Sequence, residues 1–278
     1  MLGKLLKYEL KSTSRILGVL YIAVMIVAAV VGFAAGGIIW QATQGNEIAF
    51  VVGSLIYVLL IMVLMIVTVI LVIERFYKNL LREEGYLMHT LPVPTWMLVA
   101  SKVISALIWI VLSIVAVVLS LLILGFTSMI SSGILMSSVI DWSNLPWGEM
   151  LFLFQQNAGE VILTILAAIL QIVRLVLLVY TAMAIGAAAK QHKVLYSVIS
   201  FVIILIIIGI IGMFTFQGLF NQAYTMDDSS INYALNLSDQ LFPVYTKTLL
   251  LQILSDGIYS VVFFLVTTWF LKNKLNLE

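Results

Sequence analysis

Polar residues interrupt this chain at long intervals. Between them lie six apolar stretches, roughly Ile16–Trp40, Ile48–Ile73, Met97–Phe126, Glu160–Ala189, Val194–Phe216 and Lys247–Leu271. About 20 apolar residues carry a helix across the hydrocarbon core of a bilayer, so each stretch qualifies as a span. Several exceed that length, which predicts tilt or extension into water. The runs are continuously apolar and lack the two-residue alternation of barrel strands, so helices are predicted. The expected fold class is an all-α membrane protein of six transmembrane helices, forming one domain over residues 1–278.

Composition agrees with the pattern. The chain is 63% hydrophobic and 10% charged, against about 25% charged residues in soluble domains. A net charge of +1 and the absence of cysteine leave no electrostatic case for nucleic acid, no disulfide framework and no thiolate metal site. His89 and His192 lie far apart and have no ligand spacing. The first apolar run has no small-residue cleavage site, so it is read as an uncleaved helix.

Basic residues set the orientation. Lys4, Lys7, Lys11 and Arg15 precede the first span, and Arg75, Lys78 and Arg82 follow the second, with Lys102 just beyond. Lys190 and Lys193 follow the fourth span, and Lys272 and Lys274 the sixth. All fall on one side, whereas the opposite connections hold Glu47, Asp141, Glu149, Glu160, Asp227, Asp228 and Asp239, with Lys247 at their edge. Both termini and the connection after the second span are therefore expected to be cytoplasmic. Outside, Thr127–Gly159 and Gln217–Thr246 carry Trp142, Pro146, Trp147, Phe220 and Phe242, as segments that lie at the interface or dip into it do. A mobile loop is the alternative.

Two cytoplasmic devices stand out. In "MLGKLLKYELKSTSR", Leu2, Leu5, Leu6 and Leu10 lie near one helical face, with Lys4, Lys7 and Lys11 on the other. Residues 1–15 thus read as an interfacial helix on anionic headgroups, anchored by those lysines and Arg15, or else as a basic tail that only sets topology. In "ERFYKNLLREEGYLMHTLPVP", Glu74 and Lys78 are four apart, supporting helix beyond the second span. Phe76, Tyr77, Leu80, Leu81 and Leu87 form a stripe, with Lys78, Asn79 and Arg82 facing away. Gly85 permits a break, and Pro92 and Pro94 force an extended exit. Residues 74–96 read as a short cytoplasmic helix joined rigidly to two spans, or as a solvated hairpin.

The run Glu83–Glu84–Gly85, followed by Leu91–Pro92–Val93 and a span-starting Trp96, resembles the permease subunits of type-2 ATP-binding-cassette (ABC) transporters. The likeness extends over six spans, a basic amphipathic N-terminal helix and a long outer segment before the sixth span. It implies that Gln217–Thr246 is re-entrant, and that Glu83, Glu84, Gly85, Tyr86, Leu87, Met88, Leu91 and Pro92 form a coupling helix. That helix would sit in a groove of a separate cytoplasmic ATPase subunit, with the two glutamates orienting it and Tyr86, Leu87 and Met88 in apolar contact. The short first outer loop and the long Thr127–Gly159 loop depart from the simplest members.

No phosphate loop occurs in the chain; "GAAAKQHK" from Gly186 lacks the second glycine and the hydroxyl residue. ATP and Mg are thus expected on the partner, and the chain is expected not to be an enzyme. The resemblance further implies a second permease copy, identical or different, and a bacterial cell membrane. Members of this short form export peptides such as toxins or bacteriocins, or protect against them. A pathway walled by Leu, Ile, Val and Met suits hydrophobic or amphipathic cargo, with lipids or drugs as the alternative. A membrane-embedded enzyme is disfavoured, since there is no Ser/His/Asp set, no H-E-x-x-H and no paired membrane carboxylates. A non-transporting sensor or scaffold using the same ATPase contact stays open.

Charges at membrane depth default to functional candidates. Arg174 precedes Lys190, and Asp256 precedes Lys272, by the same interval, about 24 Å along a helix. Gln171 is one turn from Arg174. Three readings stand: Arg174 and Asp256 pair and hold spans four and six together in one state; Arg174 faces the pathway and meets substrate; or each charge finds separate polar neighbours. Gly32 with Gly36, and Gly209 with Gly212, suit close helix packing. The twelve methionines could line an adaptable cargo surface or simply pack and face lipid.

Overall fold

The computed structural model describes residues 2–35, 47–81, 94–132, 148, 152, 155, 157–189, 192–224 and 233–273. Its helices are α1 (Leu2–Ala35), α2 (Glu47–Phe76) with a π-helical turn (Tyr77–Leu81), α3 (Thr95–Ser131), α4 (Ala158–Ala187), α5 (Lys193–Tyr224) and α6 (Tyr233–Asn273). Six are long and apolar enough to cross a membrane, and no strand occurs among the described residues. Helices satisfy every backbone polar group internally, which hydrocarbon demands. Their apolar side chains stay exposed, as Val19, Ile22, Ile26 and Val30 do along α1. This is the chain of a multi-pass membrane protein.

Two compact units make up the chain: Met1–Arg75 with Ile104–Phe152, and Phe76–Val103 with Leu153–Glu278. In the first unit, Leu17, Val24 and Val31 of α1 and Tyr57, Leu64 and Leu71 of α2 are buried in one cluster with Ala28 and Trp109. Both triplets repeat every seven residues, the spacing that keeps a seam between helices winding slightly left-handed around each other. α3 answers with Ser113, Ser120 and Thr127, also seven apart and buried.

Those hydroxyls bind the unit together. Tyr21 Oη and Ser113 Oγ are 2.9 Å apart, as are Ser113 Oγ and Thr68 Oγ1, and Thr68 Oγ1 donates to Leu64 O at 2.8 Å. Three protons thus suffice for three bonds, if Tyr21 donates to Ser113 and Ser113 to Thr68. Lower in the stripe, Tyr57 Oη meets Ser120 Oγ at 2.9 Å, and Ser131 Oγ donates to Phe33 O at 2.7 Å. A Cβ on Gly32 would collide with Thr127 Oγ1 and the Leu124 carbonyl, so glycine there lets α1 and α3 touch backbone to side chain. Gly36 lies outside the described residues.

The described helices run through parts of two expected segments. Residues 2–35 form one unbroken helix, roughly 51 Å long at 1.5 Å per residue, so no break sets an interfacial helix 1–15 apart from the first span. Thr13 Oγ1 and Ser14 Oγ fold back onto the Glu9 and Lys11 carbonyls, which keeps these helix-neutral residues inside the helix. Likewise Gln217–Tyr224 continues α5, and Tyr233–Thr246 opens α6. The remainder of the expected re-entrant segment, 225–232, lies outside the described residues. Among the described residues, a Cβ added at Gly209 or Gly212 would meet nothing within 4 Å, and no residue of Lys193–Met213 is buried.

Candidate functional site

The second unit holds the candidate site. At its centre α4 and α6 run side by side in the same direction, because Arg174 meets Asp256 and, further along both helices, Thr181 meets Thr267. Thr181 Oγ1 and Thr267 Oγ1 are 2.9 Å apart, and each also lies within hydrogen-bonding reach of the Phe263 carbonyl, at 3.2 and 2.7 Å. Between helices in lipid, such bonds and close packing replace the absent hydrophobic drive.

The threonine pair sets a register of 86 residues, which places Ser260, not Asp256, level with Arg174. Asp256 is one turn earlier, about 6 Å along the axis. Helical side chains lean toward their own N-terminus, and the arginine spans that turn. Arg174 Nε reaches 2.9 Å from Asp256 Oδ1, with the arginine side chain 21% and the aspartate side chain 4% exposed. The contact is an ion pair without hydrogen-bond alignment at Nε. Asp256 Oδ2 and Ser260 Oγ are buried and have no hydrogen-bond partner among the described residues. Gln252, one turn before Asp256, supplies the carboxylate with a polar neighbour. Gln171 sits on an exposed face and is not drawn into the pair.

The proposed coupling residues Glu83, Glu84, Gly85, Tyr86, Leu87, Met88, Leu91 and Pro92 lie outside the described residues. The two stubs that hold them are described. After the second span the helix loosens into the π-turn, and Phe76, Leu80 and Leu81 are buried while Lys78 is exposed. The Phe76 ring stacks on Tyr180 of α4, with centroids 3.9 Å apart and planes 15° from parallel. On the return, the Pro94 carbonyl accepts from Met97 N at 2.9 Å, and Leu98 and Val99 are buried. Both stubs belong to the unit of α4, α5 and α6. A groove of about 650 Å³ opens beside the π-turn, between Tyr77 and the first turns of α5.

Of the anchor residues, Lys7, Lys11 and Arg15 are exposed along α1; Lys4 falls within the same helix. Lys102, counted above among the basic residues that set orientation, is 4% exposed and engaged with a neighbour, about two turns inside α3. Its sequence signal was its position, past Trp96 and already within an apolar run. His192 adopts a left-handed backbone, φ 54°, and its carbonyl accepts from Tyr196 N at 3.2 Å as α5 begins. Just before this turn, Gly186 lies against Ser197 where no Cβ would fit, so α4 and α5 pack tightly at their junction. Among the described residues no group of three or more His, Asp or Glu could hold a metal ion.

The site thus combines a buried ion pair, a threonine bridge and a stacked aromatic anchor: Arg174 and Thr181 share one face of α4, and Tyr180 projects about 100° away from Thr181. It can hold helices in register and pass a displacement between them. No protein-family model, curated protein or solved structure matches the chain.

Proposed function

We propose that the chain is the membrane-spanning subunit of an ATP-driven exporter of the type-2 ABC kind, both termini cytoplasmic in a bacterial cell membrane. It forms the pathway for a hydrophobic or amphipathic substrate, a peptide first, in toxin or bacteriocin export or in self-protection. A cytoplasmic ATPase subunit supplies ATP and Mg, and a second permease copy completes the pathway.

One observation carries most of the reading. The segment bearing Glu83–Glu84–Gly85 and Leu91–Pro92 is clamped at both ends by buried side chains, within the unit that holds the last three spans. A solvated hairpin needs no such clamp. A segment through which a partner moves helices does, because force passes only through contacts that do not yield. The six spans and the one-sided lysines and arginines support the same reading.

In the proposed cycle the ATPase subunits close on ATP and drag the 82–93 connection with them. The π-turn carries that motion to Phe76 and so to Tyr180, and the Thr181–Thr267 and Arg174–Asp256 contacts carry it from α4 to α6. Purification of the tagged chain from its native membrane, with mass spectrometry of what remains bound, tests the reading. An ATPase subunit should co-purify, and Glu84→Lys and Leu91→Asp should release it. Failure of any ATPase to co-purify under mild detergent, with the chain intact, overturns it.

A further inference from the structure

We infer that the second unit holds a binding site for one anionic phospholipid, in the groove between the start of α3 and the end of α6. The groove is about 590 Å³, within the roughly 300–1,000 Å³ of sites that take a small molecule. Trp96 and Trp269 form its walls, each about half exposed. Leu265 and Val266 add apolar lining, and Lys272 lines the groove from the last turn of α6.

The chemistry selects the occupant. The Thr268 hydroxyl beside the groove is within reach of the Phe264 and Leu265 carbonyls of its own helix, at 2.9 Å each, so its proton is directed inward. Lys272 is therefore the cationic donor for a ligand headgroup, and a lysine ammonium attracts negative charge as a compact point charge. Indole rings settle where acyl chains give way to headgroups. Trp269 is further braced edge-on against Phe270, with centroids 5.0 Å apart and planes at 84°, which limits its rotation. An acyl chain between the indoles with a phosphate at Lys272 satisfies every wall. A zwitterionic lipid offers the same chain but no net charge for the lysine.

Native mass spectrometry of the full chain, released from detergent with equimolar phosphatidylglycerol and phosphatidylcholine, tests this. The unmodified chain should retain phosphatidylglycerol preferentially. Lys272→Gln should cut that preference about fivefold, the worth of one basic side chain near an anionic surface, and Lys272→Arg should restore it. Trp96→Ala with Trp269→Ala should lower retention of both lipids. Lys7→Gln, which removes an exposed lysine of the other unit, should leave the preference unchanged. The inference fails if the unmodified chain shows no preference, if Lys272→Gln keeps it, or if Lys7→Gln lowers it as much, since that last result means diffuse surface attraction. None of these outcomes depends on whether the chain exports anything.

Discussion

Phe76 and Tyr180 lie face to face, 3.9 Å between centroids, and both are almost wholly buried. The two residues come from the end of one span and the last third of another, so their rings form a link no single helix provides. Stacked aromatic pairs contribute about 0.5–1.5 kcal/mol beyond the area they bury. On the proposed exporter reading, Phe76→Ala should leave an ATPase subunit bound but lower substrate-stimulated ATP turnover about tenfold, near the upper end of that contribution. Phe76→Tyr should stay near the unmodified rate. Steady-state ATPase assays in proteoliposomes check this, and an unchanged Phe76→Ala rate would remove the stack from the transmission path.

The ion pair is asymmetric in burial, and its variants should be too. Arg174→Gln strands a carboxylate that is 4% exposed, whereas Asp256→Asn leaves an arginine that is 21% exposed. Breaking one side of a buried pair costs about 3–5 kcal/mol. Arg174→Gln should therefore lie near the top of that range and Asp256→Asn below it. The double variant should lose less than the sum of the two, with a coupling of about 0.5–3 kcal/mol. Unfolding midpoints of the purified chain in detergent supply the cycle, and strictly additive losses would show that the two charges act separately.

Glycines in this chain fall into two classes that sequence spacing does not separate. Gly32→Ala drives a methyl into Thr127 and the Leu124 carbonyl, and overpacking of this kind costs about 1–3 kcal/mol. Gly209→Ala meets nothing among the described residues, so its effect should be neutral or a gain of up to about 1 kcal/mol in helix propensity. Adding Thr127→Ala to Gly32→Ala should recover only part of the loss, because the carbonyl stays in place. The same unfolding measurement ranks all three.

Ser113 serves two partners, Tyr21 and Thr68, whereas Ser120 serves Tyr57 across the seam. Interhelical hydrogen bonds in membrane proteins average about 0.6 kcal/mol. Ser113→Ala should therefore destabilise the first unit about twice as much as Ser120→Ala, roughly 1.2 against 0.6 kcal/mol. Tyr21→Phe should cost no more than Ser120→Ala, since Ser113 keeps Thr68. Equal losses for Ser113→Ala and Ser120→Ala would contradict a relay through Ser113.

The spans were legible because hydrocarbon leaves a chain few options: a run of apolar residues of sufficient length must be helical. The common depth of Arg174 and Asp256 was legible to within one turn, and the arginine's reach covers the difference. Contacts that depend on azimuth were not legible. Ser113, Ser120 and Thr127 repeat at seven residues in plain view, but small hydroxyl residues in an apolar run also occur facing lipid. The Phe76–Tyr180 stack has no local signature at all, since its partners are over a hundred positions apart. The burial of Lys102 was not legible, because its position near a span end fixes its side of the membrane and not its packing. The continuity of α1 through Thr13 and Ser14 was not legible, because serine and threonine read as helix-weakening until their hydroxyls are seen to bond back to the Glu9 and Lys11 carbonyls.

A π-turn contains one more residue per turn than the α-helix it interrupts. Each α-helical residue turns the chain by about 100°, so losing any one residue of Tyr77–Leu81 would let the turn relax to α geometry. Five residues wound with one extra per turn complete about the same rotation as four α-helical ones, so everything beyond would keep its facing and stay in the core. Substitutions at Lys78, whose side chain is exposed, should be equally mild. Over evolutionary time this connector should tolerate the loss of one residue better than the gain of one.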